Sequence, residues 1–127
     1  MKYGLHLPHF GALATPEFMS DTARQAEALG FESLWLSDHL FVPTEITSEY
    51  PYRSDGIIGL DPSQPFHDPF ALLPWLAAIT SRVELGIGAF VAPYRRALVT
   101  AKLVGTTDVL SGGRTRLVAG AGWMEQE

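Results

Sequence analysis

The 127-residue chain has the length of one ordinary domain, and its 46% hydrophobic and 18% charged residues belong to a packed globular protein, not a disordered one. A net charge of −5 with no basic stripe excludes the electrostatic footprint of a nucleic-acid binder, and an acidic membrane surface would repel the chain. The absence of cysteine removes disulfides and thiolate metal sites and fits a cytoplasmic protein.

The opening MKYGLHLPHFG is broken by His6, Pro8 and His9. It does not read as a signal peptide, and no uninterrupted apolar run of about 18 residues predicts a membrane span. Lys2 to Leu7 reads instead as a short strand that Pro8 stops. Thr15-Pro16-Glu17 starts a helix: a capping hydroxyl, a proline suited to the first turn and an acid at the positive end of the dipole. Phe18, Thr22, Ala26 and Leu29 follow at helical spacing, and Gly30 closes the helix. Glu32 to Ser37 is a second strand.

Asp68-Pro69 repeats the cap-then-proline signal before an apolar helix, Phe70 to Thr80. Pro74 inside it removes one backbone bond. Val83 to Val91 is a Gly-, Ile- and Val-rich strand. Ala97 to Leu110 is a third helix with apolar Val99, Leu103, Val109 and Leu110, ended by Ser111-Gly112-Gly113. Thr115 to Ala121 is the last strand. The order β-α-β-α-β-α-β predicts an α/β fold with a parallel sheet and helices packed outside. The strands are apolar along most of their length, as strands covered on both faces are.

Ser37 to His67 breaks this rhythm. It holds four prolines and two tyrosines and no clear element. A loop of that length is either a lid over a site or a surface insertion.

In parallel barrels the active site lies at the C-terminal strand ends. Here those ends carry His9 and Phe10, then Asp38 and His39, then Ala89, Phe90, Tyr94 and Arg95, then Trp123. Polar and aromatic groups on one mouth suit a flat aromatic ligand with a polar edge. Asp38 and His39 could equally be a turn cap and a satisfied polar residue. Arg95 and Arg96 could meet a phosphate or stand in solvent. A metal site among the histidines is disfavoured, because His6 and His9 are three apart with Pro8 between them. Gly86-Ile87-Gly88 lacks the third glycine and the directly following helix of a dinucleotide fingerprint.

Four segments in order, GLHLPHFG, GFESLWLSDHLFVP, DPFALLPWLAAITSRVELGIGAFVAPYR and AKLVGTTDVLSGGRTRLVAGAGWMEQE, give the chain a resemblance over nearly its whole length. It resembles the N-terminal half of the bacterial luciferase-like monooxygenases, in particular the branch that depends on coenzyme F420. The resemblance implies one domain, residues 1–127, forming the first half of a (β/α)8 TIM barrel that stops after strand four. It implies a flavin or deazaflavin oxidoreductase working by hydride transfer or monooxygenation, with coenzyme F420, or alternatively FMN, in the barrel mouth and a small-molecule substrate beside it. By position, Asp38, Ala89, Phe90 and Trp123 border the cofactor ring, His39 is the candidate for proton transfer, and His9 and Phe10 lie near the substrate. A non-proline cis peptide is expected at Ala89–Phe90. Asp108 and Arg114 match family positions and read as structural.

A complete barrel takes about 250 residues. The alternative expectation is therefore a truncated, non-catalytic remnant or fragment. In either case four strands of an opened barrel leave edges and an apolar face uncovered, which predicts a homo-oligomer.

Overall fold

The computed structural model describes residues 1–127. Its elements run β1 (Gly4–His6), α1 (Pro16–Ala28), β2 (Ser33–Leu36), α2 (Pro69–Ile79), β3 (Glu84–Val91), a single 3-10 turn (Ala92–Tyr94), α3 (Ala97–Ser111) and β4 (Thr115–Gly120). Each expected strand and helix is present. No helix is long and apolar enough to cross a membrane.

The helix starts follow from their caps. The Thr15 hydroxyl accepts the Phe18 N–H at 3.2 Å, and the Asp68 carboxylate accepts those of Phe70 and Ala71 at 2.7 and 3.2 Å. Pro16 and Pro69 occupy first-turn positions whose N–H would have no helical partner. Gly112, at φ +70°, ends α3 in the left-handed region that favours glycine.

All four strands are parallel and adjacent in chain order, β1-β2-β3-β4. Right-handed crossovers between successive neighbours place every helix on one side of the sheet, as in barrels and unlike doubly wound sheets. Leu34, Leu36, Leu85 and Ile87 point to that side and meet Leu72, Leu73 and Leu76 of α2 and Met19, Ala23 and Ala26 of α1 in one buried cluster.

Trp35 occupies the opposite face. Its ring lies over Gly4 and Gly86, where an added Cβ would approach it to 2.8 and 2.4 Å. The Gly86-Ile87-Gly88 sequence is thus the floor under an indole and not a phosphate loop.

In β3 the pairing with β4 steps from Gly88↔Val118 to Phe90↔Ala119, so Ala89 is a bulge. The cis peptide sits at Gly88–Ala89. This corrects the expected Ala89–Phe90 position by one residue: the cis bond enters the bulged residue instead of leaving it. Gly88 also has little room, since a Cβ there would meet the Trp35 ring at 3.1 Å.

The far end of the sheet is tied by three charged groups. Glu27 accepts the backbone N–H groups of Ser81, Arg82 and Val83. Arg114 donates to the carbonyls of Ala77, Thr80, Val83 and Ser111, and Asp108 accepts the Thr115 N–H. Arg114 therefore holds the α3–β4 turn against α2, and Asp108 closes the turn itself.

The apolar residues of α3 differ from what its pattern suggested. Its buried residues are Thr100, Thr107 and Ser111. Leu98, Val99, Leu103, Val109 and Leu110 are all exposed, Leu98 to 85% and Val109 to 80%.

Candidate active site

The end of β2 delivers Asp38 and His39 into two separate networks. The Asp38 side chain is fully buried. Its Oδ2 accepts the Val91 N–H at 2.9 Å and Arg95 Nη1 at 2.7 Å. Arg95 also reaches Asp68 Oδ2 at 2.8 Å, with its guanidinium 4.8 Å from the centre of the Phe70 ring. One arginine thus joins the ends of β2 and β3 to the cap of α2, so it is neither solvated nor free for a phosphate. Burial acts to lower the Arg95 pKa, but the hydrogen bonds and charges of Asp38 and Asp68 outweigh it and raise it. Asp38 Oδ1 is buried with no hydrogen-bond partner.

His39 Nδ1 lies 2.6 Å from Glu127 Oε2. The same carboxylate accepts the Leu40 N–H through Oε1 at 2.5 Å and the Tyr94 hydroxyl through Oε2 at 2.8 Å. The Glu127 side chain is fully buried and that of His39 nearly so. Burial and the neighbouring carboxylate push the Tyr94 phenol far above its ordinary value, so it stays protonated and donates.

The long loop folds back over the strand ends. Phe66 pairs with Phe10 in an antiparallel bridge, Gly11 N–H donates to Pro65 O, and His67 N–H donates to His9 O. Farther along, Ser48 bonds Glu125 N–H and Gln126, and Tyr50 packs edge-on against Trp123 at 5.0 Å. The segment is therefore laid across the mouth from β1 to the turn after β4.

Beneath it is a cavity of about 330 Å³. Six strand-end residues singled out from the sequence line it: Phe10, Asp38, His39, Ala89, Tyr94 and Trp123. The Phe10 and Phe66 rings stack at 5.1 Å with planes 7° apart, and the His39 ring meets Phe66 edge-on at 5.3 Å. Tyr50, Tyr52 and Leu60 close the cavity from the loop.

Two expected residues do not line the cavity. His9 is completely buried; its Nδ1 and Nε2 lie 3.0 and 3.1 Å from the carbonyls of Leu7 and Ser37, and its ring packs on Phe10 and Phe66. Desolvation lowers its pKa. It supports the aromatic wall from behind. Phe90 packs edge-on against Phe70 at 5.6 Å, beside the core cluster. The bulge at Ala89 interrupts the alternation of β3, turning Phe90 to the helices and leaving Ala89 at the cavity. Sequence reasoning had missed Glu127. No sequence signal marks it, since it lies 88 residues from the histidine it contacts.

The singly wound parallel α/β unit, with its pocket at the C-terminal strand ends, has the architecture of part of a (β/α)8 barrel. The sequence model for the luciferase-like monooxygenases matches residues 1–127. The chain belongs to that family.

An uncharacterized protein of Mycobacterium tuberculosis is 33% identical over 109 residues, 85% of this chain and 38% of that protein. An F420-dependent glucose-6-phosphate dehydrogenase of Kineococcus radiotolerans is 37% identical over 111 residues, 84% of this chain and 27% of the enzyme. Among solved structures, the coenzyme F420 dependent tetrahydromethanopterin reductase of Methanopyrus kandleri superposes with a TM-score of 0.66 at 28% identity, over 95% of this chain and 27% of that one. The chain thus spans less than half the length of the relatives it matches.

Proposed function

We propose that the cavity is the ring-binding part of a deazaflavin or flavin oxidoreductase site. One observation carries this reading: a buried carboxylate oxygen, Asp38 Oδ1, stands without a partner beside a cavity walled by aromatic rings. An unpaired buried acceptor costs free energy unless a donor fills it, and a flat ring with an N–H edge would supply one. The bulge at Ala89 and the indole of Trp123 would flank that ring. When bound, such a ring would exchange a hydride with a small-molecule substrate or, as a reduced flavin, react with O₂. His39 would hold or take the substrate proton, as an imidazole can near neutral pH. Relatives named for F420 favour the deazaflavin, with FMN as the alternative.

The test is a fluorescence titration of the chain with coenzyme F420 and FMN, and with 5-deazariboflavin and riboflavin as ring-only probes. Saturable binding of a ring-only probe, lost on replacing Ala89 with Trp to fill the cavity, is the expected result. A folded chain that binds none of the four overturns the reading.

A second reading keeps the fold without the chemistry: a non-catalytic, self-associating protein. The exposed apolar residues of α3 favour it. The same titration separates the two.

A further inference from the structure

The Glu127 carboxylate touches three groups that define the setting of His39: its Nδ1, the N–H of the following residue, and the Tyr94 hydroxyl. We propose that Glu127 is the positioning residue of His39, fixing the neutral ring in the Nδ1–H form and leaving Nε2 as the free proton acceptor at the cavity. The inference rests on the reading of His39 as the proton-handling group and assigns how that group is held.

An ionised carboxylate only accepts hydrogen bonds. Nδ1 at 2.6 Å from Glu127 Oε2 must therefore carry the proton, and in a neutral imidazole Nε2 must then be bare. Nε2 makes no hydrogen bond within the chain, while His39 lines the cavity. Rotation of the carboxylate is blocked. Its other oxygen receives the Leu40 N–H, and the Tyr94 hydroxyl locks the first. Histidines that act on substrates are commonly oriented through their second nitrogen in this way.

The arrangement makes an unusual demand on glutamine. The Leu40 N–H needs an acceptor, so in Glu127→Gln the amide oxygen stays there and the NH₂ faces His39. Nδ1 would then have to accept, and the proton would move to Nε2. Glu127→Gln should thus reverse the tautomer, while Glu127→Asp, still acceptor-only, should keep it. Tyr94→Phe should leave it unchanged.

The experiment is ¹⁵N NMR of the imidazole nitrogens of His39 at mildly alkaline pH, in the 127-residue chain without cofactor. His39→Gln assigns the resonances. The unaltered protein is expected to show a protonated Nδ1 and a bare Nε2, and Glu127→Gln the reverse. A predominantly Nε2–H ring, or averaged tautomers, in the unaltered protein overturns the proposal whether or not any variant folds. So does the same tautomer in a folded Glu127→Gln. Failure of cofactor binding, or unchanged turnover in His39→Ala, would count against the proposed function and leave the tautomer result standing.

Discussion

Trp35 covers Gly86 so closely that a Cβ on that glycine would come within 2.4 Å of the indole carbon Cε3. Leu34 and Leu36 on either side of Trp35 serve the core against the helices, so the indole is what the strand offers to the other face. Glycines on both neighbouring strands make room for it. Gly86→Ala should therefore destabilise the fold by about 1–3 kcal/mol, the usual cost of overpacking. Urea denaturation would show it, and Trp35→Leu in the same chain should recover part of the loss, because the two positions are in contact. Additive losses would mean that the clash is relieved elsewhere.

The Asp38–Arg95 pair makes a separate prediction. Arg95 is only 12% exposed and Asp38 not at all. Removing the arginine leaves a buried carboxylate with one N–H partner, and breaking a buried pair in this way costs about 3–5 kcal/mol. Asp68→Asn should cost far less, because that side chain is half exposed and asparagine can still cap α2. Urea midpoints of Arg95→Ala and Asp68→Asn give the comparison. Equal, small effects would show that the Asp38–Arg95 pair contributes little to stability.

What the residues disclosed in advance was local or periodic. Thr15-Pro16 and Asp68-Pro69 announced their helices because a cap and a proline act within one turn. Strand ends placed Asp38, Ala89 and Trp123 on one mouth because βαβ winding is regular. Phe90 escaped this logic, since a single bulged residue upstream reverses which face it takes. Glu127 escaped because its partner lies in another loop and no spacing rule joins them. The polar inward face of α3 was illegible for a different reason: its apolar residues mark a surface to be covered, but a pattern does not say by what.

Stability should fall on acidification in two stages. Burial holds the imidazole of His9 below its ordinary range, with hydrogen bonds to Leu7 and Ser37 opposing. Below about pH 6.5 the unfolded chain takes up that proton first. Its contribution is therefore complete above this pH and is lost as pH falls through the window down to the folded value. Burial would raise the Glu27 pKa, but the N–H groups of Val83, Arg82 and Ser81 outweigh it and hold the carboxyl low. Its contribution is lost below about pH 4.3, as pH falls through the folded value. Urea midpoints at pH 7.5, 5.5 and 3.5 would trace both. His9→Gln should reduce the upper stage, which His6, also lowered by burial, shares, and Glu27→Gln should reduce the lower. A midpoint independent of pH between 7.5 and 5.5 would show that His9 titrates as freely in the fold as outside it.

The exposed face of α3 leads to the last prediction. Leu98, Val99, Leu103, Val109 and Leu110 stand in solvent, and Leu117 and Val118 of β4 are exposed as well. Within the chain, β1 and β4 each pair on one side only, so backbone donors and acceptors lie along both sheet edges. Exposed apolar surface and open strand edges both drive association. The 127-residue chain should therefore run in light scattering as a dimer or larger, with a mass that rises with concentration. Leu98→Lys and Val109→Lys should shift it towards monomer without lowering the urea midpoint at high dilution, since neither side chain is packed within the subunit. A monomer that persists at high concentration would mean that this face is tolerated bare. Dissociation by salt, instead of by the two substitutions, would point to charges and not to the apolar face.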